Sequence, residues 1–154
     1  MSHDKIVIRE ATAADMPGIS RVRLSVIENA ATPEGLAARG ITNESVAASF
    51  LNHSKGWVAE EAGEIVAFSI ADRAAHSIFA LFVLPAYEGR GLGTRLFDTA
   101  VQWLWDNGAT HLWLTTGPRT RAAHFYQRRG WVYTGDAERG DIRLELSRGS
   151  LAEN

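Results

Sequence analysis

The sequence predicts a single mixed α/β domain, with a central sheet of about seven strands flanked by four helices. Its length of 154 residues suits one domain with a sizeable core. Helical and strand periodicities follow one another in the order β-α-α-β-β-β-α-β-α-β-β. The run 76–84 is apolar on both faces, as expected of a central strand covered by helices. We expect residues 3–147 to form the domain and residues 148–154 to be a frayed tail.

The first half of the chain carries clear boundary signals. Thr12 and Asp15 have the spacing of a capping box, which starts a helix. Ala62-Gly63 joins two β-rich runs as a hairpin turn. The expected elements are a strand at 5–9, a helix at 12–29, a loop at 30–41, a helix capped by Thr42 or Asn43, and strands at 56–61 and 64–71.

The second half contains the longest helical pattern. Leu92, Leu96 and Ala100 recur at helical spacing after a strand that Pro85 ends. Pro118 suits the first turn of a second helix. The expected elements are a strand at 76–84, a helix at 91–107, a strand at 111–115, a helix at 118–130, and strands at 131–134 and 142–146.

Composition and charge argue against several classes of protein. The net charge of −2 argues against non-specific nucleic-acid binding. The absence of cysteine excludes disulfides, cysteine–zinc sites and any cysteine nucleophile. No signal peptide and no membrane span is recognisable, so we expect a cytoplasmic protein without a membrane partner. We expect no metal site, and we leave a homodimer open.

An alternating-glycine segment, residues 88–94, lies between the apolar strand and the long helix. Glycines at such a junction leave backbone N–H groups accessible, and the helix dipole favours a negative charge there. Arg90 and Arg95 add positive charge. The spacing fits neither the dinucleotide fingerprint, which needs glycine at 94, nor the P-loop, which needs a lysine. The segment therefore predicts a site for a phosphate or pyrophosphate, with a plain tight turn as the alternative.

This segment resembles motif A, [QR]-x-x-G-x-[GA], of the GCN5-related N-acetyltransferase (GNAT) family. Residues 119–131 resemble a second family segment, N-x-x-A-x-x-x-Y-x-x-x-G-[FW]. The residues in register with it are Ala122, Tyr126, Gly130 and Trp131. Two positions depart from the family pattern: Glu88 replaces Gln or Arg, and Arg119 replaces Asn. A carboxylate cannot donate to a phosphate, so Glu88 is expected to face solvent or pair with an arginine.

The resemblance implies the family's acyltransferase fold and acetyl-coenzyme A as cosubstrate, with its pyrophosphate on the glycine segment. It also implies direct transfer of the acetyl group to an amine in a ternary complex. The implied cofactor-binding residues are Leu81, Phe82, Val83, Glu88, Gly89, Arg90, Gly91, Leu92, Gly93, Thr94, Arg119, Arg121 and Tyr126.

Acetyl transfer needs a donor to the carbonyl oxygen, an acid for the thiolate and a base for the amine. The resemblance implies Tyr126 as general acid and backbone N–H groups of residues 81–83 as donors. A core-packed tyrosine and a fully paired strand are the alternatives. Phe125 is expected to face the core, and His124 the surface.

The base is the least defined role. Ser77 occupies the position where many relatives carry Glu, and His76 beside it has a suitable intrinsic pKa. A water chain is an alternative. Other candidate bases are Glu28, Glu60, Asp72 and His111.

The acceptor is expected to meet residues 28–43 and 135–141, by the same resemblance. Acidic residues there would attract a cationic amine, although surface loops are often charged. They are Glu28, Glu34, Asp136, Glu138 and Asp141. The sequence leaves open whether the amine belongs to a small molecule or a protein. A coenzyme A-binding sensor with little turnover is the main alternative, and a longer acyl donor or a hydroxyl acceptor is a third.

Overall fold

The computed structural model describes residues 6–25 and 32–149. The strands are β1 (Ile6–Glu10), β2 (Ser54–Glu61), β3 (Glu64–Asp72), β4 (Ser77–Val83), β5 (His111–Thr116), β6 (Val132–Asp136) and β7 (Ile142–Ser147). The α-helices are α1 (Met16–Ser25), α2 (Pro33–Ala38), α3 (Asn43–Ser49), α4 (Leu92–Asp106) and α5 (Arg121–Arg128). Three short 3-10 turns lie at Ala13–Asp15, Pro85–Tyr87 and Glu138–Gly140.

The seven strands form one sheet, in the order β1-β2-β3-β4-β5-β7-β6. Neighbouring strands are antiparallel except β4 and β5, which run parallel. These two strands pair only at Ser77 and Trp113. Beyond that point they diverge, so most of β4 has no ladder partner on its β5 side.

The core has two halves, one on each face of the sheet. The half under α4 and α5 includes Leu92, Leu96, Phe97, Leu104, Leu114 and Tyr126. The half under α1 and α3 includes Ile19, Val22, Val46, Val58, Phe68 and Ile70. The apolar central strand is therefore covered on both faces, as predicted.

Helix α2 lies within the predicted loop 30–41. The Thr32 hydroxyl accepts a hydrogen bond from the Gly35 N–H at 3.0 Å, and Pro33 opens the helix with its preset φ. The Thr32 cap and Pro33 at the first position together organise a short helix in spite of the nearby glycines. The described residues therefore contain five α-helices rather than four.

Helix α5 begins at Arg121 rather than near Pro118. The Thr120 hydroxyl accepts the Ala123 N–H at 3.1 Å, which makes Thr120 the N-cap. Pro118 instead lies in the turn that precedes the helix. The cap therefore fixed the start of the helix, and the proline did not.

The predicted capping box at Thr12 and Asp15 is confirmed, since the Thr12 N–H donates to the Asp15 carboxylate at 2.8 Å. Arg9 binds the same carboxylate at 2.8 Å and also pairs with Glu60 of β2 at 2.7 Å. The hydrogen bond from Arg9 holds the pKa of Asp15 below its ordinary value of 3.8. This network ties β1, β2 and the start of α1 together.

Some predicted boundaries lie outside the described residues. They are the strand start at Lys5, the helix end at Asn29 and the last five residues of the expected tail, 150–154. Within that tail, the Arg148 N–H donates to the Thr110 carbonyl at 3.0 Å. Among the described helices, none combines the length and apolar character that a membrane span requires.

Candidate active site

The divergence of β4 from β5 opens a cleft of about 610 Å³. Its walls are β4, the glycine segment with the start of α4, the end of β5 with the following turn, and α5. A volume of this size suits a ligand larger than a single amine. The cleft lies where the sequence placed the phosphate site.

The free side of β4 supplies backbone groups to this cleft. The Leu84 N–H donates to the Val66 carbonyl of β3 at 2.9 Å. Hydrogen-bonding direction alternates along a strand, so the Phe82 N–H also faces β3, while the N–H groups of Leu81 and Val83 face the cleft. Of the three predicted donors, the alternation therefore directs Leu81 and Val83 toward a bound ligand.

The N-terminus of α4 opens onto the same cleft. Gly91 is its N-cap, with a φ of 82° and no side-chain cap. The first helical bond runs from the Arg95 N–H to the Gly91 carbonyl at 3.1 Å. The N–H groups of Leu92, Gly93 and Thr94 precede that bond and have no helical partner, and all three residues line the cleft. Such a group of donors at a helix N-terminus suits a phosphate.

Gly91 and Gly93 serve different purposes in this turn. A side chain at Gly91 would be strained because of its positive φ, although the space beside it is open. Gly93 has no such restriction, and a Cβ there would meet Val83 Cγ2 at an ordinary 3.6 Å. Gly91 therefore shapes the turn, whereas Gly93 keeps the approach to the helix amides clear.

Glu88, the main departure from the family motif, pairs with Arg121 at 3.6 Å. Both residues line the cleft. The expectation that an arginine accommodates this carboxylate is confirmed. The pair links the glycine segment to the first turn of α5 and places one negative charge at the predicted phosphate site.

Tyr126 is buried, with 5% of its surface exposed, and it lines the cleft. Its ring packs against Phe97 at 5.5 Å and Trp131 at 6.0 Å between centroids. In the described part of the chain its hydroxyl has no hydrogen-bond partner. Burial raises the pKa of Tyr126 above its ordinary value of 10.0, so the phenol remains protonated and able to donate.

Most predicted cofactor residues line the cleft. They are Leu81, Phe82, Val83, Glu88, Gly89, Gly91, Leu92, Gly93, Thr94, Arg121 and Tyr126. Arg90 and Arg119 are exposed outside its lining, and the Arg90 guanidinium stacks on the Tyr87 ring at 4.7 Å. Phe125 also lines the cleft while packing against Phe97 at 5.3 Å.

The predicted bases that fall within the described residues lie away from the cleft. His76 is exposed in the turn before β4, with a φ of 59°. Glu60 is paired with Arg9, and Asp72 accepts the Ala74 N–H at 2.9 Å. His111 is exposed at the start of β5. The remaining candidate, Glu28, lies outside the described residues.

The acidic residues expected near the acceptor are dispersed. Asp141 lines the cleft. Asp136 accepts the Tyr133 hydroxyl at 2.8 Å, and Glu138 pairs with Arg139 at 3.1 Å. Glu34 is exposed on α2, and Glu28 again lies outside the described residues.

The cleft also contains residues that sequence reasoning did not assign to it. They include Tyr87, Thr116, Gly117, Thr120, His124 and Arg128, besides core residues of β4 and β5. The position of His124, exposed on α5, could have been inferred from its place three residues after Arg121, on the same face of the helix. Tyr87 ends the 3-10 turn after β4, Thr116 ends β5, Gly117 and Thr120 precede α5, and Arg128 ends α5, so only the packing of these elements brings the five residues together. Across the described ranges 6–25 and 32–149, no cluster of three or more His, Asp or Glu side chains could hold a metal.

Comparison with known proteins identifies the family of this chain and supports its fold. The sequence profile of the acetyltransferase (GNAT) family matches residues 16–131, more than half of the chain. Streptothricin acetyltransferase of Streptomyces lavendulae is 34% identical over 42% of this chain. That match spans only 39% of the relative's own length.

Two solved structures illustrate the likeness in fold. PaiA N-acetyltransferase of Thermoplasma acidophilum, in complex with coenzyme A, has a TM-score of 0.74 at 14% identity, covering 93% of this chain and 99% of that chain. The Salmonella typhimurium protein yncA, with its cofactor acetyl-CoA, has a TM-score of 0.71 at 18% identity, covering 94% and 95%. At such identities the agreement establishes the fold, including the predicted mixed sheet.

Proposed function

We propose that this chain, which belongs to the GNAT family of acetyltransferases, transfers the acetyl group of acetyl-coenzyme A directly to an amine. The observation that carries this proposal is the uncapped N-terminus of α4 facing a cleft whose other wall is the unpaired side of β4. The helix N–H groups that suit a phosphate and the free N–H groups of β4 thus face the same cleft.

The residues present fit the coenzyme. Its pyrophosphate would accept from the N–H groups of Leu92, Gly93 and Thr94, where the helix dipole also favours negative charge. The amide-containing arm would pair with the free side of β4, through Leu81 and Val83. Arg121 adds a cation at the mouth of the cleft.

The bound thioester supplies an activated acetyl group. A strand N–H of Leu81 or Val83 donates to the carbonyl oxygen as negative charge develops on it. The amine nitrogen bonds to the acetyl carbon while the carbon–sulfur bond breaks. Tyr126, held protonated by burial, donates to the departing sulfur.

The amine proton leaves through water in this proposal. His76, Glu60, Asp72 and His111 all lie outside the cleft lining. A water path therefore accounts for deprotonation better than any of these side chains. An amine that reaches the cleft already neutral needs no strong base, so the rate should follow the fraction of neutral acceptor.

A thiol-release assay tests the proposal. Purified protein is incubated with acetyl-coenzyme A and a panel of amines, and free thiol is followed over time. We expect release that requires both the protein and an amine. Failure to bind the coenzyme at millimolar concentration would rule out the proposed site.

A second candidate, a coenzyme A-binding sensor, is favoured by one observation: Glu88 places a carboxylate at the predicted phosphate site. Calorimetry distinguishes it from the enzyme. Coenzyme binding without thiol release in the presence of any amine, together with unchanged behaviour of the Tyr126→Phe variant, would support the sensor.

A third possibility is a different donor or acceptor. Competition among acyl-coenzyme A species would reveal a longer acyl donor, and hydroxyl compounds in the panel would reveal a different acceptor.

The remaining parts of the proposal concern the setting of the protein. We propose a cytoplasmic location and leave a homodimer as a prediction. Sedimentation velocity at micromolar concentration tests for the homodimer. Localisation of a tagged full-length chain tests the cytoplasmic location.

A further inference from the structure

Arg23 of α1 is a buried cation, with 8% of its surface exposed. Its guanidinium carbon lies 5.5 Å from the ring centroids of Phe79 and Phe82 and 5.8 Å from that of Phe68. Aromatic faces stabilise such a cation partly, but they do not replace the hydrogen bonds that it loses on leaving water.

No acidic group offsets this charge in the described part of the chain. Arg23 forms no ion pair there, and its Nε is buried without a hydrogen-bond partner. Burial, together with repulsion from the nearby Arg39, lowers the pKa of Arg23 to about 10. The side chain therefore remains charged at neutral pH while lacking an anionic partner.

The position of Arg23 relates it to the candidate active site. Phe79 and Phe82 line the cleft, so two of the rings that the guanidinium contacts belong to the cleft wall. Arg23 also lines a small cavity of about 30 Å³ between α1, α3 and β3, shared with Ser20 and Asn43. This cavity has room for about two groups the size of a water molecule.

We infer that Arg23 binds a carboxylate carried by the amine acceptor, which makes the preferred acceptor an amino acid or a similar amino-carboxylate. A guanidinium binds a carboxylate through two parallel hydrogen bonds, and burial strengthens both. The inference rests on the proposed function and assigns its acceptor class. It adds a cation beside the cleft to the acidic groups that the sequence led us to expect, of which Asp141 lines the cleft.

Paired acceptors test the inference. Initial rates are measured for amino acids and for the corresponding amino-acid amides, which lose the negative charge and keep the amine, although with a lower amine pKa. Each rate is therefore expressed per neutral amine present at the assay pH. We expect kcat/KM to be at least about tenfold higher for the acids, corresponding to about 1.4 kcal/mol. Arg23→Met should remove this preference by raising KM for the acids, while KM for acetyl-coenzyme A stays unchanged.

Arg21→Met is the matched control. Arg21 lies on the same helix and is exposed, with its guanidinium bound to the Ile65 carbonyl. We expect this variant to keep the preference for acids. A second readout needs no turnover: with coenzyme A present, acids should raise the Tm of the wild-type protein more than amides do, and Arg23→Met should abolish the difference.

The outcomes separate this inference from the proposed function. Equal rates for acids and amides, with clear turnover, would refute the role of Arg23 and leave acetyl transfer intact. Absence of turnover with every amine would instead refute the proposed function. If Arg23→Met does not fold, Arg23→Lys takes its place: it keeps the charge but loses the bidentate geometry, and it should weaken the preference. An unchanged preference in a folded Arg23 variant would show that the residue only packs.

Discussion

Tyr126 joins the aromatic core to the candidate active site. Its ring is fixed by Phe97 and Trp131, while the residue lines the cleft. Rigid packing positions the hydroxyl, and burial keeps it protonated. Substitution of this residue separates its structural role from its chemical role, because phenylalanine preserves the ring.

Tyr126→Phe should lower kcat on the order of 100-fold, the usual range for loss of a general acid. KM for acetyl-coenzyme A should change by less than about threefold, since the ring packing remains. Steady-state kinetics with varied acetyl-coenzyme A measures both. A large rise in KM with kcat preserved would make Tyr126 a binding residue instead.

The pH profile gives an independent check on Tyr126. Because burial raises the pKa of this phenol, it should not ionise below about pH 10, and activity should show no alkaline decline from it. The rate should rise with pH as the acceptor amine becomes neutral. The wild-type protein and Tyr126→Phe should give profiles of the same shape at different heights. An alkaline decline that is lost in the variant would contradict this.

Glu88→Gln should tighten coenzyme A binding. The substitution removes the negative charge that Glu88 places at the predicted phosphate site beside Arg121. We expect about a fivefold gain in affinity, from about 1 kcal/mol for unit charges about 4 Å apart in water. The gain should shrink as salt rises. Asp98→Asn, which breaks the pair between Asp98 of α4 and Arg129 at the end of α5, is the control and should leave affinity unchanged.

At the scale of elements, the site depends on two neighbouring irregularities. Strand β4 leaves β5 after one paired position, and α4 begins without a side-chain cap. Each leaves backbone donors without partners, which would destabilise a closed interior. Together they form one continuous polar surface that an extended ligand can satisfy.

The turn between these elements is best tested at Gly93. Gly93→Val should reduce coenzyme A affinity by about tenfold or more, because the added side chain obstructs the helix amides. The fold should persist, since the position has an ordinary φ and contacts only Val83. Calorimetry measures the affinity, and Tm checks the fold. Gly91→Val is a poor test, because its positive φ strains the protein whatever binds.

For the whole molecule, acid stability should depend on the network of Arg9, Asp15 and Glu60. The folded-state pKa of Asp15 lies below its ordinary value of 3.8, so its contribution is complete above that value and is lost as pH falls below it. Asp15→Asn should lower the free energy of unfolding at neutral pH by about 1 to 2 kcal/mol, through the lost cap and ion pair.

Urea unfolding at several pH values measures this effect. The difference between the wild-type protein and Asp15→Asn should narrow below pH 3.8. Asp136→Asn is the control, because within residues 6–25 and 32–149 the Asp136 side chain bonds only to an exposed tyrosine, Tyr133. A difference that stays constant down to the lowest pH would mean that packing, rather than ionisation, accounts for the loss.

Local chemistry explains which features could be predicted from the sequence. The capping residues Thr12 and Thr42 start their segments as expected, and the glycine segment 88–94 lies at the strand–helix junction that it indicated. Helix α2 and the late start of α5 were not predicted, because Thr32 and Thr120 caps outweighed the proline and glycine signals. Cap strength depends on side-chain geometry that spacing alone does not give.

The sequence by itself determined the order of the seven strands and of four of the five described helices, the place of the glycine turn at 88–94 between β4 and α4, and the family, since each depends on neighbouring residues. Only the tertiary structure decided which groups meet across the sheet. It brings Arg23 onto the rings of Phe68, Phe79 and Phe82, and Glu88 against Arg121. Contacts between distant segments depend on strand register and on where β4 leaves β5, and those are settled by the packing of the whole domain.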